Sequence, residues 1–299
     1  MRETRTALPA EFEELKPLGM AAPLIISLTG QPGSGKTRLG ATAPGDIGLI
    51  PTHRKAYPTA ASVADKFGRR VIVPKDNFAR SSNPLAAKAK AVCDAEDDAK
   101  KSDKAFQVDI DQPQPKCCTK HSSRWMVDRM KRAAMQMVAM PSVKTLLIDS
   151  GTHLYEDVVF ACYGRDEKII PLDRKIANRE MRDFLEALAV KNLIVTHEAQ
   201  EIWEDYGPPI DAKGNRKSRP TGKFKPSGWK HIGYFASIEL EMVVDADVPA
   251  GEGRYRLDVK KCQENAALVG RAGLLTDDGI TFQNVAAAIW PDVDPEVWE

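Results

Sequence analysis

The segment Gly30–Thr37 reads Gly-Gln-Pro-Gly-Ser-Gly-Lys-Thr and fits the pattern G-x-x-x-x-G-K-[ST] of a phosphate-binding loop. A continuous apolar run at residues 24–28 precedes it and predicts a strand buried on both faces. A helix is predicted from about Lys36. Glycines let backbone N–H groups approach phosphate oxygens closely, and the N-terminus of the following helix favours negative charge. The motif therefore predicts a nucleoside triphosphate site, with ATP and Mg²⁺ as the expected ligands.

Two side chains of this loop have specific expected tasks. Lys36 is predicted to reach the β- and γ-phosphates and to take part in catalysis, and the Thr37 hydroxyl is predicted to ligate Mg²⁺. The motif and the residue after it make up the predicted nucleotide-binding set: Gly30, Gln31, Pro32, Gly33, Ser34, Gly35, Lys36, Thr37 and Arg38.

A second apolar run, residues 145–148, ends in Asp149. Proteins with a phosphate-binding loop place their second Mg²⁺-organising residue at the end of such a strand. Asp149 is therefore predicted to bind Mg²⁺ and to take part in catalysis. The alternative is an aspartate that only caps the helix after it.

A third apolar run, residues 193–195, leads into Thr196, His197 and Glu198. Ligands of open α/β sheets sit beyond the carboxyl ends of the strands, so polar residues there are candidates for nucleotide contact. Thr196 or His197 is predicted to sense the γ-phosphate. The alternative for His197 is a structural histidine.

Short buried strands alternating with helices predict an α/β fold with a mostly parallel sheet and right-handed crossovers. Segments 234–244 and 254–261 alternate in polarity and predict late antiparallel strands. Residues 76–121 interrupt the rhythm and predict an inserted helical and loop segment. The expected organisation is a tail at 1–20, a nucleotide-binding domain at 21–262, and an acidic C-terminal segment at 263–299 packed on or extending from the core.

The segment 207–230 is rich in Gly, Pro, Lys and Arg and is predicted to be a loop. Basic groups follow phosphates, and aromatic rings stack on unpaired bases. Since the loop follows the strand with Thr196, it is predicted to bind single-stranded DNA; the alternative is a solvated loop without a partner. The predicted DNA-binding residues are Arg216, Lys217, Arg219, Lys223, Phe224, Lys225, Trp229 and Lys230.

The composition indicates the compartment and the partners that are expected for such a chain. The 299 residues carry a net charge of +1, so any nucleic-acid contact must come from a local patch rather than from the whole molecule. Five irregularly spaced cysteines argue against a secreted disulfide framework. No apolar run approaches the length of a membrane span. These features predict a soluble protein of the cytoplasm that makes no membrane contact.

Several of these segments together resemble a known family. The phosphate-binding loop, the strand ending at Asp149, the strand leading to Glu198, Gly228–Tyr234 and Lys260–Asn265 are similar to bacteriophage-encoded RecA-like ATPases. These are AAA-type nucleotide-binding proteins grouped with the Sak-type single-strand annealing ATPases. The resemblance covers residues 21–299 apart from the insertion, and only the phosphate-binding loop is individually specific.

The resemblance implies a RecA-like core, ATP binding, single-stranded DNA binding, homo-oligomers with ATP between subunits, and a role in phage recombination or replication inside a bacterial host cell. It also implies that Lys260 and Lys261 on a late strand reach the γ-phosphate of a neighbouring subunit. The alternative for these lysines is protection of a strand edge against aggregation.

One part of the sequence departs from the family. RecA-like enzymes place a water-activating glutamate after the strand that follows the loop helix, and residues 50–55 contain no acid. Glu156 and Glu198 are the candidate replacements, and slow hydrolysis is the other expectation.

Two other functions fit the same loop. A P-loop kinase of a nucleotide or small molecule would use residues 216–219 as an arginine-bearing lid. An ATP-dependent loader or adaptor would use the 76–121 insertion to hold a protein partner.

Overall fold

The computed structural model describes most of the chain and leaves several segments outside the description. The described residues are 23–52, 56–75, 110–111, 119–164, 174–206, 217–249 and 251–294. The predicted tail 1–20, most of the predicted insertion 76–121, and Arg216 lie outside the described residues.

The helices and strands are named here in chain order. They are β1 (Ile25–Gly30), α1 (Lys36–Ala41), β2 (Asp46–Pro51), α2 (Ala56–Lys66), β3 (Val71–Ile72), α3 (Thr119–Ala139), β4 (Val143–Asp149), α4 (Gly151–Tyr163), α5 (Lys175–Leu188), β5 (Asn192–Tyr206), β6 (Lys217–Pro226), α6 (Ile232–Phe235), β7 (Ile238–Val244), β8 (Tyr255–Cys262), β9 (Leu275–Thr276) and α7 (Phe282–Ile289).

The strands form one mixed sheet in the order β3-β2-β4-β5-β1-β7-β8-β9. The first six of these run parallel, and β8 and β9 are antiparallel to their neighbours. Parallel strands are covered on both faces, so their sequences are largely apolar, as the runs in β1, β4 and β5 predicted. The carboxyl ends of β1, β4 and β5 therefore meet at one edge.

Helices cover both faces of the sheet. Residues of α1, α2 and α7 pack on one face with apolar residues such as Leu147 and Ile194. Residues of α3, α4 and α5 pack on the other face with residues such as Ile148 and Val195. Neighbouring residues of one strand point to opposite faces, so each strand contributes to both cores.

Helices α4 and α5 show how local sequence fixes these layers. Ser150 is the N-cap of α4, and its side chain accepts a hydrogen bond from the backbone N–H of His153. Gly164 ends α4 at φ 73°, a left-handed conformation that glycine adopts without strain. The buried residues of α5 follow helical spacing: Ala177, Met181, Phe184, Leu185 and Leu188.

The predicted loop at 207–230 is wrong for residues 217–226. These residues form β6, which pairs antiparallel with the second half of β5 from Ala199 to Tyr206. Glu204 lies opposite Arg219, and their side chains form an ion pair at 2.7 Å. Cross-strand pairs of this kind stabilise the pairing of two strands. The glycine, proline and charge content of the segment did not indicate this pairing. We name residues 199–206 and 217–226 the hairpin arm.

The late strands are confirmed with different bounds. The predicted strand 234–244 begins only at Ile238, since the chain completes the short helix α6 first. β7 is parallel to β1 and antiparallel to β8, which gives the sheet its mixed character. In the C-terminal segment, α7 buries Phe282, Val285, Ala286 and Ile289 in the same core as α1. The boundary at residue 262 stays a prediction.

Candidate functional site

The phosphate-binding loop lies between the end of β1 and the start of α1. Gly33 and Gly35 have φ of 78° and 95°, a region that residues with a Cβ rarely adopt. A Cβ on Gly30 would lie 2.6 Å from the Ser34 hydroxyl oxygen, so this position also needs glycine. The loop therefore exposes backbone N–H groups in the form expected for an anion cradle.

The Lys36 ammonium lies against its own loop. Its Nζ donates to the carbonyl oxygens of Gly30 at 2.7 Å and Gln31 at 2.9 Å. Burial lowers the pKa of Lys36, and the charges of Asp149 and Glu198 act in the opposite direction. The side chain is thus a held cation with two carboxylates nearby.

Asp149 joins three elements at the carboxyl edge of the sheet. Its Oδ2 accepts a hydrogen bond from the Thr37 hydroxyl at 2.6 Å, and its Oδ1 accepts one from the Thr196 hydroxyl at 2.7 Å. The alternative that Asp149 caps α4 is wrong, because Ser150 occupies the cap position. Hydroxyl and carboxylate oxygens are ligands that Mg²⁺ prefers, so the Thr37 and Asp149 pair fits this cation.

A cavity of about 420 Å³ opens over these residues. Its size falls in the range of small-molecule sites. Ser150 and Thr59 line it although the sequence did not single them out, and no motif signal marks either. The lining residues are Pro32, Gly33, Ser34, Gly35, Lys36, Thr37, Arg38, Thr59, Asp149, Ser150 and Glu198.

Arg38 lies on the rim of this cavity. Its Nη2 forms an exposed ion pair with Asp278 at 2.6 Å, which links α1 to the turn before α7. The sequence placed Arg38 in the nucleotide-binding set, and that role stays a prediction.

The two candidate sensors on β5 face opposite sides of the sheet. Thr196 is fully buried and holds Asp149, so its hydrogen bond goes to the carboxylate rather than into the cavity. His197 is also fully buried, and a Cβ on Gly151 of α4 would lie 3.0 Å from its ring. Burial lowers the pKa of His197 to about 4, so the ring is neutral at physiological pH. His197 is not among the residues that line the cavity, and its role as a γ-phosphate sensor stays a prediction.

The two candidate acids, Glu198 and Glu156, also differ in whether they line the cavity. Glu198 lines the cavity, whereas Glu156 on α4 is not among its lining residues. No acid stands at residues 50–52, and the Thr52 hydroxyl accepts a hydrogen bond from the Ser150 backbone N–H at 2.8 Å. The Thr52 hydroxyl is therefore hydrogen-bonded to the backbone of Ser150, immediately after β4.

The hairpin arm carries most of the predicted DNA-binding residues. Lys217, Lys223 and Lys225 are exposed on β6, and Phe224 is half-buried there. Arg219 is also exposed, but it pairs with Glu204 and its guanidinium lies 5.4 Å from the Tyr206 ring centroid. Across the described residues, no ion pair engages Lys223 or Lys225.

The prediction that Trp229 stacks on bases requires correction. Its side chain is only 2% exposed and packs with the core under α4 and α5, because the chain turns inward after β6. Lys230 beside it is exposed. The aromatic residue that the arm does expose is Trp203, at 60%. The apolar run that predicted this strand stops before Thr196, so the sequence did not single out Trp203. Trp203 and Tyr206 lie on the continuation of the same strand.

A second basic surface was also missed. Lys175, Arg179 and Arg182 follow one another at helical spacing on α5 and line a groove of about 530 Å³ with His231 and Tyr234. Tyr234 is 85% exposed. The buried indole N–H of Trp229, which also lines the groove, has no hydrogen-bond partner in the described structure. The signal in the sequence was the cationic i, i+4, i+7 face of α5.

The two late-strand lysines lie away from this chain's own nucleotide cavity. Lys260 forms an ion pair with Glu241. Lys261 donates to the Gly233 carbonyl oxygen and lines a separate cavity with Lys225 and Lys230. Contact with a neighbouring subunit's nucleotide stays a prediction.

Comparisons with known proteins show likeness to solved structures. No protein-family model matches the chain, and no curated protein matches it significantly. The crystal structure of the RadB recombinase is similar, with 13% identity, a TM-score of 0.43, and coverage of 84% of this chain and 86% of that chain. The strand order and the flanking helices define an α/β fold with a mostly parallel sheet.

None of the helices that the structure describes is long and apolar enough to cross a membrane. The described residues contain no cluster of three or more His, Cys, Asp and Glu side chains suited to a metal ion.

Proposed function

We propose that this chain binds ATP with Mg²⁺ and hydrolyses it in a cycle coupled to single-stranded DNA. The observation that carries the nucleotide part is the convergence of Lys36, Thr37 and Asp149 on one cavity under a glycine-rich loop. The loop N–H groups and Lys36 would hold the phosphates, and Thr37 with Asp149 would hold the cation. Mg²⁺ would neutralise charge on the phosphate oxygens.

Asp149→Asn is expected to lower the Mg²⁺ dependence of ATP binding, because the amide keeps the size of the side chain and removes its charge. The gain in ATP affinity on adding Mg²⁺ should fall by about 1–2 kcal/mol, roughly 5- to 30-fold. Calorimetric titrations with and without Mg²⁺ measure this gain. An Asn variant with the full Mg²⁺ response would rule out Asp149 as a cation-holding residue.

The DNA part of the proposal rests on continuity between the cavity and the hairpin arm. Strand β5 carries Glu198 at the cavity and runs without a break into the arm from Ala199. The arm offers Lys223, Lys225 and Trp203 to solvent. Basic groups with exposed aromatic rings are what unpaired nucleic acid requires.

The groove on α5 extends the same surface chemistry. Tyr234 borders both this groove and the cavity that contains Lys225 and Lys230. The surface that continues from the base of the arm therefore carries three cationic side chains, an exposed ring and the unpaired Trp229 N–H. We assign the arm and the groove to one path for a single strand.

Replacing Trp203, Lys223 and Lys225 together with alanine is expected to weaken single-stranded DNA binding and spare ATP binding. Loss of one stacked ring removes about 1–3 kcal/mol. Loss of two phosphate contacts lowers the slope of log K against log salt by about 1.4. Fluorescence anisotropy of a labelled oligothymidine across a salt series measures both effects.

The matched control replaces Lys66 and Lys75, two exposed lysines before and after the edge strand β3, with alanine. It should leave the salt slope close to that of the wild type. If the wild-type chain shows no binding to the oligonucleotide at low salt, with or without ATP, the DNA part of the proposal fails.

The remaining parts of the proposal come from the resemblance. We retain the phage-encoded, Sak-type annealing group as the proposed subgroup, and Lys260 and Lys261 as contacts to a neighbour's nucleotide in an oligomer. An annealing assay with complementary oligonucleotides tests the first. Replacing both lysines with alanine tests the second, since ATP turnover should fall while ATP binding by isolated subunits persists.

The kinase and loader alternatives give different results. A kinase would transfer phosphate to a nucleoside or metabolite and would ignore single-stranded DNA. A loader would retain ATP binding and lose a protein partner when residues 76–121 are deleted. Stimulation of ATP turnover by single-stranded DNA favours our proposal over both.

A further inference from the structure

We propose that Glu198 is the general base of ATP hydrolysis in this chain and that His153 is its positioning residue. This inference rests on the proposed ATPase function and identifies the group that removes the proton from water. It also accounts for how a chain without an acid in the region of Thr52 performs the reaction.

Two acidic residues line the nucleotide cavity, Asp149 and Glu198. Both oxygens of Asp149 accept hydrogen bonds, and its side chain is only 4% exposed. The Asp149 carboxylate is thus engaged with two protein hydroxyls, those of Thr37 and Thr196. The Glu198 side chain is 47% exposed, and its charge acts on Lys36, which places it near the phosphate end of the cavity.

The other acid suggested by the sequence does not reach this place. Glu156 projects from the second turn of α4, and the cavity lining includes Ser150 just before that helix but not Glu156. A general base must lie within hydrogen-bond reach of the proton that it removes, directly or through one water. The geometry therefore favours Glu198 over Glu156.

His153 connects the wall of the cavity to Glu198. Its Nδ1 lies 2.8 Å from the Ser150 Oγ, and its Nε2 lies 3.7 Å from the Glu198 Oε1. The Ser150 oxygen also accepts from the His153 backbone N–H at 3.4 Å, which leaves the hydroxyl hydrogen free to donate to Nδ1. When Nδ1 accepts this hydrogen, the ring hydrogen lies on Nε2, facing the carboxylate. The ring thus borders the Glu198 carboxylate and limits the orientations open to it.

The backbone of Glu198 is held separately. Its N–H donates to the Thr152 hydroxyl at 3.0 Å, and its carbonyl oxygen accepts from the Ser227 N–H at 2.9 Å. The Thr152 hydroxyl in turn donates to the Ser227 carbonyl oxygen at 3.0 Å. The base thus sits where both strands of the hairpin arm leave the core. A strand of DNA that moves the arm would change the position of the Glu198 carboxylate.

A water oxygen forms a bond to the γ-phosphorus, while the bond from that phosphorus to the β–γ bridging oxygen breaks. The water proton passes to the Glu198 carboxylate, and ADP leaves with the bridging oxygen. Glu198 then returns the proton to solvent, so that phosphate and ADP are the products and the side chain is unchanged.

The first experiment compares Glu198→Gln with Glu156→Gln in the full chain, with and without oligothymidine. Glu198→Gln should lower kcat for ATP by about 100-fold or more, in line with the contribution of a positioned general base. Its affinity for ATP, measured by calorimetry in the absence of turnover, should stay within about threefold of the wild type, because Lys36 and the loop are intact. Glu156→Gln should retain wild-type kcat.

The second experiment tests the positioning role with two replacements of His153. Phenylalanine keeps a ring and removes both nitrogens, whereas glutamine keeps an N–H donor that reaches toward Glu198. His153→Phe should lower kcat by up to about 100-fold with little change in KM, since a misplaced catalytic group loses rate rather than binding. His153→Gln should recover at least about tenfold of that loss. A merely structural role predicts equal behaviour of the two variants and a parallel loss of thermal stability.

The outcomes separate this inference from the function on which it rests. If the wild type binds ATP and DNA and turns over no ATP, the ATPase proposal falls and the general base falls with it. If the wild type hydrolyses ATP and Glu198→Gln does so at a similar rate, the ATPase stands and Glu198 is not the base. Loss of kcat in Glu198→Gln with intact ATP binding supports the inference.

Discussion

Replacement of Lys36 with alanine is expected to lower the affinity for ATP by about 2–5 kcal/mol, which is roughly 30-fold or more. The Lys36 ammonium is held at the loop by the carbonyl oxygens of Gly30 and Gln31 and faces the same cavity as Asp149. Without it, the phosphates would meet the Asp149 and Glu198 carboxylates with no side-chain cation from the loop between them. Calorimetric titration of ATP with Mg²⁺ measures the loss.

The matched control is Lys66→Ala, which removes an exposed lysine from the last turn of α2. Its ATP affinity should equal that of the wild type, since α2 contributes Thr59 rather than Lys66 to the cavity. Wild-type affinity in Lys36→Ala would place the nucleotide elsewhere. Circular dichroism of both variants separates loss of binding from loss of folding.

Phe282→Ala is expected to lower the free energy of unfolding by about 3–5 kcal/mol, the usual cost of truncating a buried phenylalanine. The Phe282 side chain is fully buried in the core that α1 and α2 share with the sheet. Its backbone N–H donates to the Thr42 hydroxyl at 2.8 Å, immediately after α1. The truncation opens a cavity beneath the helix that follows the phosphate-binding loop. Urea unfolding followed by circular dichroism measures the effect.

Val269→Ala provides the control for this prediction. Val269 belongs to the same C-terminal segment, but its side chain is exposed, so its truncation should change stability by less than about 0.5 kcal/mol. A Phe282→Ala variant as stable as the wild type would mean that α7 is not part of the cooperative core. That result would favour a C-terminal segment that extends away from the domain.

The parallel sheet was predictable because its strands are buried on both faces. The run Leu193–Val195 is apolar without interruption, and Leu24–Leu28 is interrupted by Ser27 alone. A strand covered on both faces requires that pattern. The hairpin arm was not predictable in the same way. Its two strands are largely exposed and rich in charge, so its stability comes from pairs such as Glu204 with Arg219, which lie 15 residues apart in the chain.

The two tryptophans near the arm show the same limit at the level of single residues. Trp229 follows a run of basic residues and has the sequence context of a nucleic-acid contact, yet its ring lies in the core. Trp203 lies among acidic residues and is largely exposed. Local composition describes the neighbours of a residue along the chain, whereas burial depends on elements that arrive from elsewhere.

The sequence by itself determined the nucleotide loop, the buried strands and the aspartate at the end of β4, because each depends on residues that are contiguous in the chain. Only the tertiary structure decided that Glu198 lines the cavity and that His197 does not. Glu198 and His197 are neighbours on one strand, and the alternation of side chains sends one to the nucleotide side and the other beneath α4. His153 and Glu198 are 45 residues apart along the chain. The His153 Nε2 and the Glu198 Oε1 nevertheless lie 3.7 Å apart, because α4 and β5 pack side by side.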